Sequence, residues 1–292
     1  MAATVSIVIP AFNEAETIEA CVIAAVHQTV AAHEIVVVDN MSTDATPSLV
    51  AALQETYPHA PIHYLEQRRT QGLIATRNEG LNQATGTILG RIDADSVLEP
   101  AWVEAVQSAF ADSTVAAATG PVIYYDMPLR RFGARADDAL RRALLVITSD
   151  YHLLFGSNMA LRATAWQQIR DEACLDPDDE LHEDIDLSIH LQRNNLRVLY
   201  SSEMVTGMSA RRLDDSPREF YDYVMRFERT YDKHGERSVA LRAPMAILLA
   251  SYPALKAVRE VEVRKSSTTA TRAAAAKAEQ DAAPPPRPSR TA

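Results

Sequence analysis

The chain has 292 residues, 47% of them hydrophobic, and sets 29 Lys and Arg against 39 Asp and Glu for a formal net charge of −10. That length supports one large domain or two small ones around a well-buried core, while a mean hydropathy of −0.15 excludes a polytopic membrane protein. The acidic balance, with a pI of 5.3, disfavours a grip on nucleic-acid backbone, and two cysteines, Cys21 and Cys174, exclude a disulfide scaffold and suit a reducing compartment.

Short, apolar, largely β-branched runs at Val5 to Ile9, Ile35 to Val38 and Thr87 to Ile92 predict buried parallel strands, each ending in polar or turn chemistry. Helical spacing predicts helices over Ala15 to Gln28, Asp44 to Thr56 and Leu73 to Ala84, with a further strand at Ile62 to Leu65. Strands alternating with helices predict an α/β sheet wound with right-handed crossovers. After Asp95 the order changes. A helix is expected from Pro100 to Phe110, then an apolar stretch from Val115 to Tyr125 and an Arg-rich segment, Leu129 to Val146, with few strand signals. Then come a sheet element at Phe155 to Arg162, a helix after Glu183, a strand at Arg197 to Ser201, a strand-like run from Met204 to Met208 and a helix at Pro217 to Tyr231. The division expected is a nucleotide-binding-type α/β unit over 1–98 and an attached α+β region on the same sheet over 99–240.

The N-terminus runs from Met1 straight into a strand, without a basic region and apolar core, so no secretory leader is expected. A C-terminal helix is expected over 241–264; its stretch Ala243 to Val258 is apolar but interrupted by Pro253 and short for a bilayer span. It reads as a helix packed on the domain, or as an interfacial helix whose Lys256, Arg259, Arg264 and Lys265 meet anionic lipid. From residue 265 the composition falls to Ala, Pro, Ser, Thr and charges, which predicts a disordered tail over 265–292.

The chemistry concentrates where strands end. Asn13 and Glu14 follow the first strand, Asp39 the second, and Asp93 and Asp95, with Ala94 between them, follow Thr87 to Ile92. Ligands of an open parallel sheet bind beyond the carboxyl ends of its strands, and carboxylates crowded there need a compensating cation or ligand. A pair such as Asp93/Asp95 suits Mg²⁺ or Mn²⁺, with diphosphate oxygens and water completing the shell. The same D-x-D spacing recurs at Asp176/Asp178 and Asp184/Asp186, so it is the apolar strand before Asp93 that gives the pair its meaning. Glu183 and Asp184 open a helical pattern, where carboxylates also favour the helix dipole; the functional reading makes one of them a general base. His182, Asp186 and His190 recur every four residues but supply only part of a zinc shell. Arg68, Arg69, Arg77, Arg211 and Arg212 are candidates to neutralise phosphate. No glycine-rich phosphate cradle follows a strand.

The stretches SIVIPAFNEAETI, EIVVVDNMSTDAT, GLIATRNEGLNQATGTILGRIDADS, FGSNMALRATAW and HEDIDLSIHLQRNN, in this order over residues 4–200, together resemble the family 2 glycosyltransferases of GT-A fold. The resemblance implies a Rossmann-like, mixed but mainly parallel sheet flanked by helices, with an α+β acceptor-side region. It implies metal-dependent, inverting transfer of a sugar from a nucleoside diphosphate sugar, with uridine as the preferred base and Mn²⁺ or Mg²⁺ as cofactor. By motif position, Pro10, Ala11, Asn13 and Glu14 would line the base and ribose pocket. Asp39 would contact the base, Arg77 would sit near the nucleotide, Asp93 would contact ribose or metal, and Asp95 would ligate the metal. Asp184 would be the catalytic base, with Gly156, Ser157, Asn158 and Glu183 around the sugar and acceptor. Processive members carry a Gln-x-x-Arg-Trp motif after the base; here Arg211-Arg212 is the nearest basic pair and no Trp follows it, so addition of one sugar is expected. The acceptor would be a sugar or a lipid-linked hydroxyl in polysaccharide, glycolipid or cell-envelope synthesis. The implied location is the cytoplasm, with contact at the inner face of the plasma membrane through the C-terminal segment as the second reading.

Two other sugar-handling readings stay open from the sequence: a polyprenyl-phosphate sugar synthase, which shares the strand motifs, and a nucleotide-sugar binding protein without catalysis. A nucleotidyltransferase would want a Gly-rich, Lys-bearing loop after the first strand, where Pro10 to Glu14 stand instead.

Overall fold

The computed structural model describes residues 3–147, 153–176 and 180–282. Its main sheet has seven strands in the order β3-β2-β1-β4-β8-β6-β9. The parallel half consists of β1 (Val5–Ala11), β2 (Glu34–Asp39), β3 (Ile62–Glu66) and β4 (Ile88–Arg91). These strands are joined by α1 (Ile18–Val26), α2 (Thr46–Thr56) and α3 (Leu73–Gln83). β1 and β2 are buried along their whole length, which is why their sequences read as unbroken apolar runs rather than as alternation. The order reverses between β1 and β4, so the switch-point crevice opens above the ends of these two strands.

The second half mixes directions. β8 (Met159–Arg162) runs antiparallel to both β4 and β6 (Val115–Thr119), and β9 (Arg197–Tyr200) lies parallel to β6. A small sheet of β5 (Val97–Leu98), β10 (Thr206–Met208) and β7 (Val122–Tyr124) folds over the end of β4. Helices α4 (Trp102–Ala109), α6 (Ala163–Ile169) and α7 (Glu183–Arg193) cover the sheet, and the Arg-rich segment forms α5 (Arg130–Ile147). α8 (Pro217–His234) starts with a Ser216/Glu219 capping box and ends at Gly235 in the left-handed region, φ 71. The expected mixed α/β architecture is present.

The C-terminus departs from expectation. α9 runs from Ala243 to Ala282 through Pro253, so residues 265–282, expected to be disordered, are helical. The tail is rich in alanine, the best helix former, and extending a helix already nucleated on the domain costs little. Residues 283–292 of the expected tail, and Asp178 of the second D-x-D pair, lie outside the described residues. Tyr252 stacks on Phe220 at 4.1 Å, Lys256 Nζ donates to the Asp215 carbonyl at 2.6 Å, and Arg259 pairs with Asp126 and Asp214 at 2.8 and 3.1 Å. Two of the four basic residues expected to meet lipid therefore turn into the protein, because the 3₁₀ turn Arg211–Asp214, Asp215 after it and Asp126 beside it offer carbonyls and carboxylates. No helix among the described residues is long and apolar enough to cross a membrane.

Candidate active site

The floor of the crevice is an ion-pair network that joins β4 to helices α3 and α7. Arg91 on β4 is fully buried; its Nη1 donates to Glu183 Oε1, and its Nε and Nη2 donate to the Gly156 carbonyl at 3.2 and 2.9 Å. Arg77 on α3 donates through Nη1 to Glu183 Oε2 and through Nη2 to Asp93 Oδ1, each at 2.7 Å. Burial alone would raise the Glu183 carboxyl pKa; Arg91 and Arg77 outweigh it and hold the group below its ordinary value. Two expectations change here. Glu183 lies under the crevice rather than in an acceptor pocket, and Arg77 commits its charge to carboxylates rather than to phosphate. Arg91 has a signal of its own in TILGRI, since an arginine within an otherwise apolar strand demands a buried partner.

Above the floor, Asp93 and Asp95 stand at the end of β4, with Ala94 buried between them. Arg211 spans the crevice, its Nε 3.0 Å from Asp95 Oδ2 and its Nη2 2.6 Å from Glu14 Oε1. The Tyr125 hydroxyl donates to the Asp95 carbonyl at 3.0 Å. Burial, then the Asp93 charge, pushes the Asp95 carboxyl up to about 6 against the pull of Arg211. Arg68, in contrast, is exposed and pairs locally with Glu66.

Pro10 and Ala11 close β1, and Asn40 N–H donates to the Ala11 carbonyl at 2.9 Å. Asn13, at φ 53, stitches this loop to the one after β2: its N–H donates to Ser42 Oγ at 2.9 Å and its Oδ1 accepts from Thr43 N–H at 2.8 Å. Asp39 Oδ2 accepts from Ser42 N–H at 3.1 Å, and the Tyr64 hydroxyl stands against the same carboxylate, its pKa raised by burial and by the Asp39 charge.

Asp184 heads α7, where the helix dipole favours a carboxylate. Its Oδ2 accepts from Gly156 N–H at 2.9 Å and its Oδ1 from Ile185 N–H at 3.0 Å. Gly156 must be glycine, since any Cβ there would collide with the Arg91 guanidinium. Ser157 beside it is half-buried. Asn158, expected in the acceptor pocket, is instead fully buried: its Nδ2 donates to the carbonyls of Pro121 and Met204 at 2.9 and 2.6 Å, and its Oδ1 accepts from Trp102 Nε1 at 2.8 Å. With these groups spent joining β7, β10 and α4, it is a keystone behind the pocket.

The expected series His182, Asp186, His190 splits. The His182 ring packs on Tyr223 and Phe227 with centroids at 4.8 and 4.1 Å, and burial pushes its pKa down to about 4 against the pull of Asp184. Asp186 and His190 are joined by His234 from α8, whose Nε2 lies 2.7 Å from Asp186 Oδ1. Arg193 Nη1 is 3.2 Å from His234 Nδ1. A guanidinium only donates, so Nδ1 accepts and Nε2 carries the proton to Asp186. The cluster works as a hydrogen-bonded clasp between α7 and α8.

Residues 6–170 match the model of glycosyl transferase family 2. The chain belongs to this family. Glycosyltransferase AglE of Haloferax volcanii is 37% identical to this glycosyltransferase over 102 residues, which is 34% of this chain and 33% of that protein. The chain thus spans about a third of that curated relative's length. Among solved structures, the Pyrobaculum calidifontis mannosyltransferase PcManGT, in complex with GDP-Man and Mn²⁺, superposes with a TM-score of 0.64 at 20% identity, covering 98% of this chain and 82% of that one. The glucosyl-3-phosphoglycerate synthase of Mycobacterium tuberculosis, in complex with Mn²⁺, UDP and its product, gives a TM-score of 0.54 at 17% identity over 81% and 82% of the two chains. At such identity these neighbours establish the fold that this glycosyltransferase shares, a GT-A fold.

Proposed function

We propose that this glycosyltransferase moves one sugar from a nucleoside diphosphate sugar to an acceptor hydroxyl with inversion at the anomeric carbon, using a divalent cation at Asp93 and Asp95. The observation that carries this reading is the bridge from Asp93 through Arg77 to Glu183. It sets Asp184, the next residue, beside the same crevice as the Asp93/Asp95 pair.

The donor set fits a hard cation. Two carboxylates stand two residues apart at a strand end, and Asp95 is held up at about 6 by burial and by its neighbour's charge, a strain that an added positive charge relieves. A cation bound there would offset the charge growing on the departing diphosphate. The Asp39 carboxylate, which closes β2 at the edge of the crevice, supplies an acceptor for the base. Asp184 keeps lone pairs free on a carboxylate oriented by Gly156 N–H and accepts the acceptor hydroxyl's proton as that oxygen attacks the anomeric carbon. The new carbon–oxygen bond forms as the bond to the diphosphate oxygen breaks, and the electron pair leaves with the diphosphate. A single displacement from the opposite face inverts the centre, so no covalent sugar–enzyme bond is needed.

The solved neighbours carry guanosine in one case and uridine in the other, so the base is decided by a thermal-shift panel of UDP, GDP, TDP and CDP, each with and without Mn²⁺. A Mn²⁺-dependent rise with one nucleotide is expected; no rise with any of them would count against donor binding at this crevice. Asp184→Asn should lower transfer by about 10²–10⁴-fold and leave that thermal shift in place. Undiminished transfer would remove Asp184 from the role of base.

A further inference from the structure

An amphipathic helix normally buries its apolar stripe and shows water its charges. α5 docks partly through charge: Asp137 Oδ2 accepts from Val122 N–H at 3.0 Å, Asp138 Oδ1 accepts from the Tyr200 and Ser202 hydroxyls at 2.9 and 2.6 Å, and the Arg141 guanidinium stacks on Phe155 at 3.7 Å, with Leu144 and Leu145 half-buried on the same side. A second apolar stripe faces out. Phe132, Ala136, Leu140, Ala143 and Val146 recur at steps of three and four, share one helical face, and are all exposed, Phe132 by 70% and Val146 by 79%. Leu129, which caps the helix, is 77% exposed and held at φ 56, a conformation unfavourable for a branched side chain. Along one edge of this stripe, at two turns of the same flank, stand Arg131 and Arg135, both exposed and neither in an ion pair with a described residue.

We propose that the outer face of α5 docks on an anionic lipid bilayer, with the apolar stripe entering the headgroup boundary and Arg131 and Arg135 meeting lipid phosphates. Charge argues for this occupant. The chain carries −10 overall and would be repelled by an anionic surface except where a local basic row meets it. A second copy fits less well, because an antiparallel pairing of two α5 helices lays one arginine row against the other. The chain's own C-terminal residues 283–292, with Arg287 and Arg290 and no acidic side chain, do not complement this face either. The inner face of α5 stacks on Phe155, the neighbour of Gly156, whose N–H orients Asp184. Docking here would leave one helix between lipid and that segment of the crevice. The binding itself does not rest on the proposed transfer reaction, and it moves the membrane contact expected of residues 243–264 to a different helix.

The test is flotation of the full chain, without donor or metal, on vesicles of phosphatidylcholine alone and of phosphatidylcholine mixed with phosphatidylglycerol. The protein should float with the mixed vesicles at low salt, and not with phosphatidylcholine alone. Phe132→Asp with Val146→Asp should abolish flotation. Arg131→Gln and Arg135→Gln should each weaken it by about fivefold. Both pairs sit on an exposed face, and unchanged thermal melts would establish that they remain folded. No flotation of the wild type, or variants that float like it, would overturn the proposal. So would a lipid-free dimer that Phe132→Asp dissolves, since that would assign the face to a second copy.

Discussion

Glu183 and Asp95 are both buried carboxylates at the head of the same crevice, and they are in opposite electrostatic states. Glu183 is compensated from within, each oxygen meeting a guanidinium, and its pKa is driven down. Asp95 has a like charge beside it and shares the half-exposed Arg211 with Glu14, and its pKa is driven up to about 6. A charge paired inside the fold belongs to the architecture; a charge left under-compensated at a strand end awaits a ligand. The same contrast separates Arg77 and Arg91, spent on the floor, from Arg211, which is free to be displaced.

The comparison breaks most forcefully at the floor. Glu183→Gln leaves two buried guanidinium groups without their counter-charge and should cost about 3–5 kcal/mol, read as a melting temperature lower by about 10 °C. A melt close to wild type would mean that the floor is not what holds α7 to the sheet. Asp95→Asn should do the reverse in metal-free protein. A folded pKa near 6 against an unfolded 3.8 means that ionised Asp95 opposes folding at neutral pH. The amide should therefore stabilise by about 3 kcal/mol, while abolishing Mn²⁺-dependent transfer. The signs with pH also differ. The Asp95 penalty is absent below about pH 4, grows between about pH 4 and 6 and is fully present above 6, so the gain from Asp95→Asn should fade on acidification. The Glu183 contribution is present above its unfolded value of 4.5 and is lost as pH falls through its lower folded pKa. Melts of both variants across this range check both signs. The smallest effect is expected from Arg211→Gln, which removes the side chain that partly neutralises Asp95 and competes for it. Mn²⁺ should bind the metal-free variant about fivefold tighter by calorimetry; weaker binding would make Arg211 a support of the metal site instead of its placeholder.

What was legible in the sequence follows the same division. β1, β2 and β4 announce themselves because strands buried on both faces must be continuously apolar, and the carboxylates that follow them must stand at the sheet edge. Asp39, Asp93 and Asp95 could be nominated on that ground, and Asp184 only by the resemblance of its motif. The roles of Glu183, Arg77 and Asn158 could not, because a polar residue beside a motif reads the same whether it faces the crevice or lies behind it. The Arg-rich segment of α5 gave few strand signals, and its periodicity does not say which face turns inward.

The sequence by itself therefore determined the family, the wound sheet and the row of acidic strand ends, since these rest on local patterning and on the order of motifs along the chain. Only the tertiary structure decided which charges are spent. Arg91 reaches Glu183 across 92 residues and Arg211 reaches Glu14 across 197, and pairings at such separation are fixed by how strands cross in the sheet. The same holds for α9, where Lys256 and Arg259 turn inward because a loop from elsewhere in the chain lies beneath them. Whether a charged group is structural or available for chemistry depends on its desolvation and its partners, and both are properties of the folded chain.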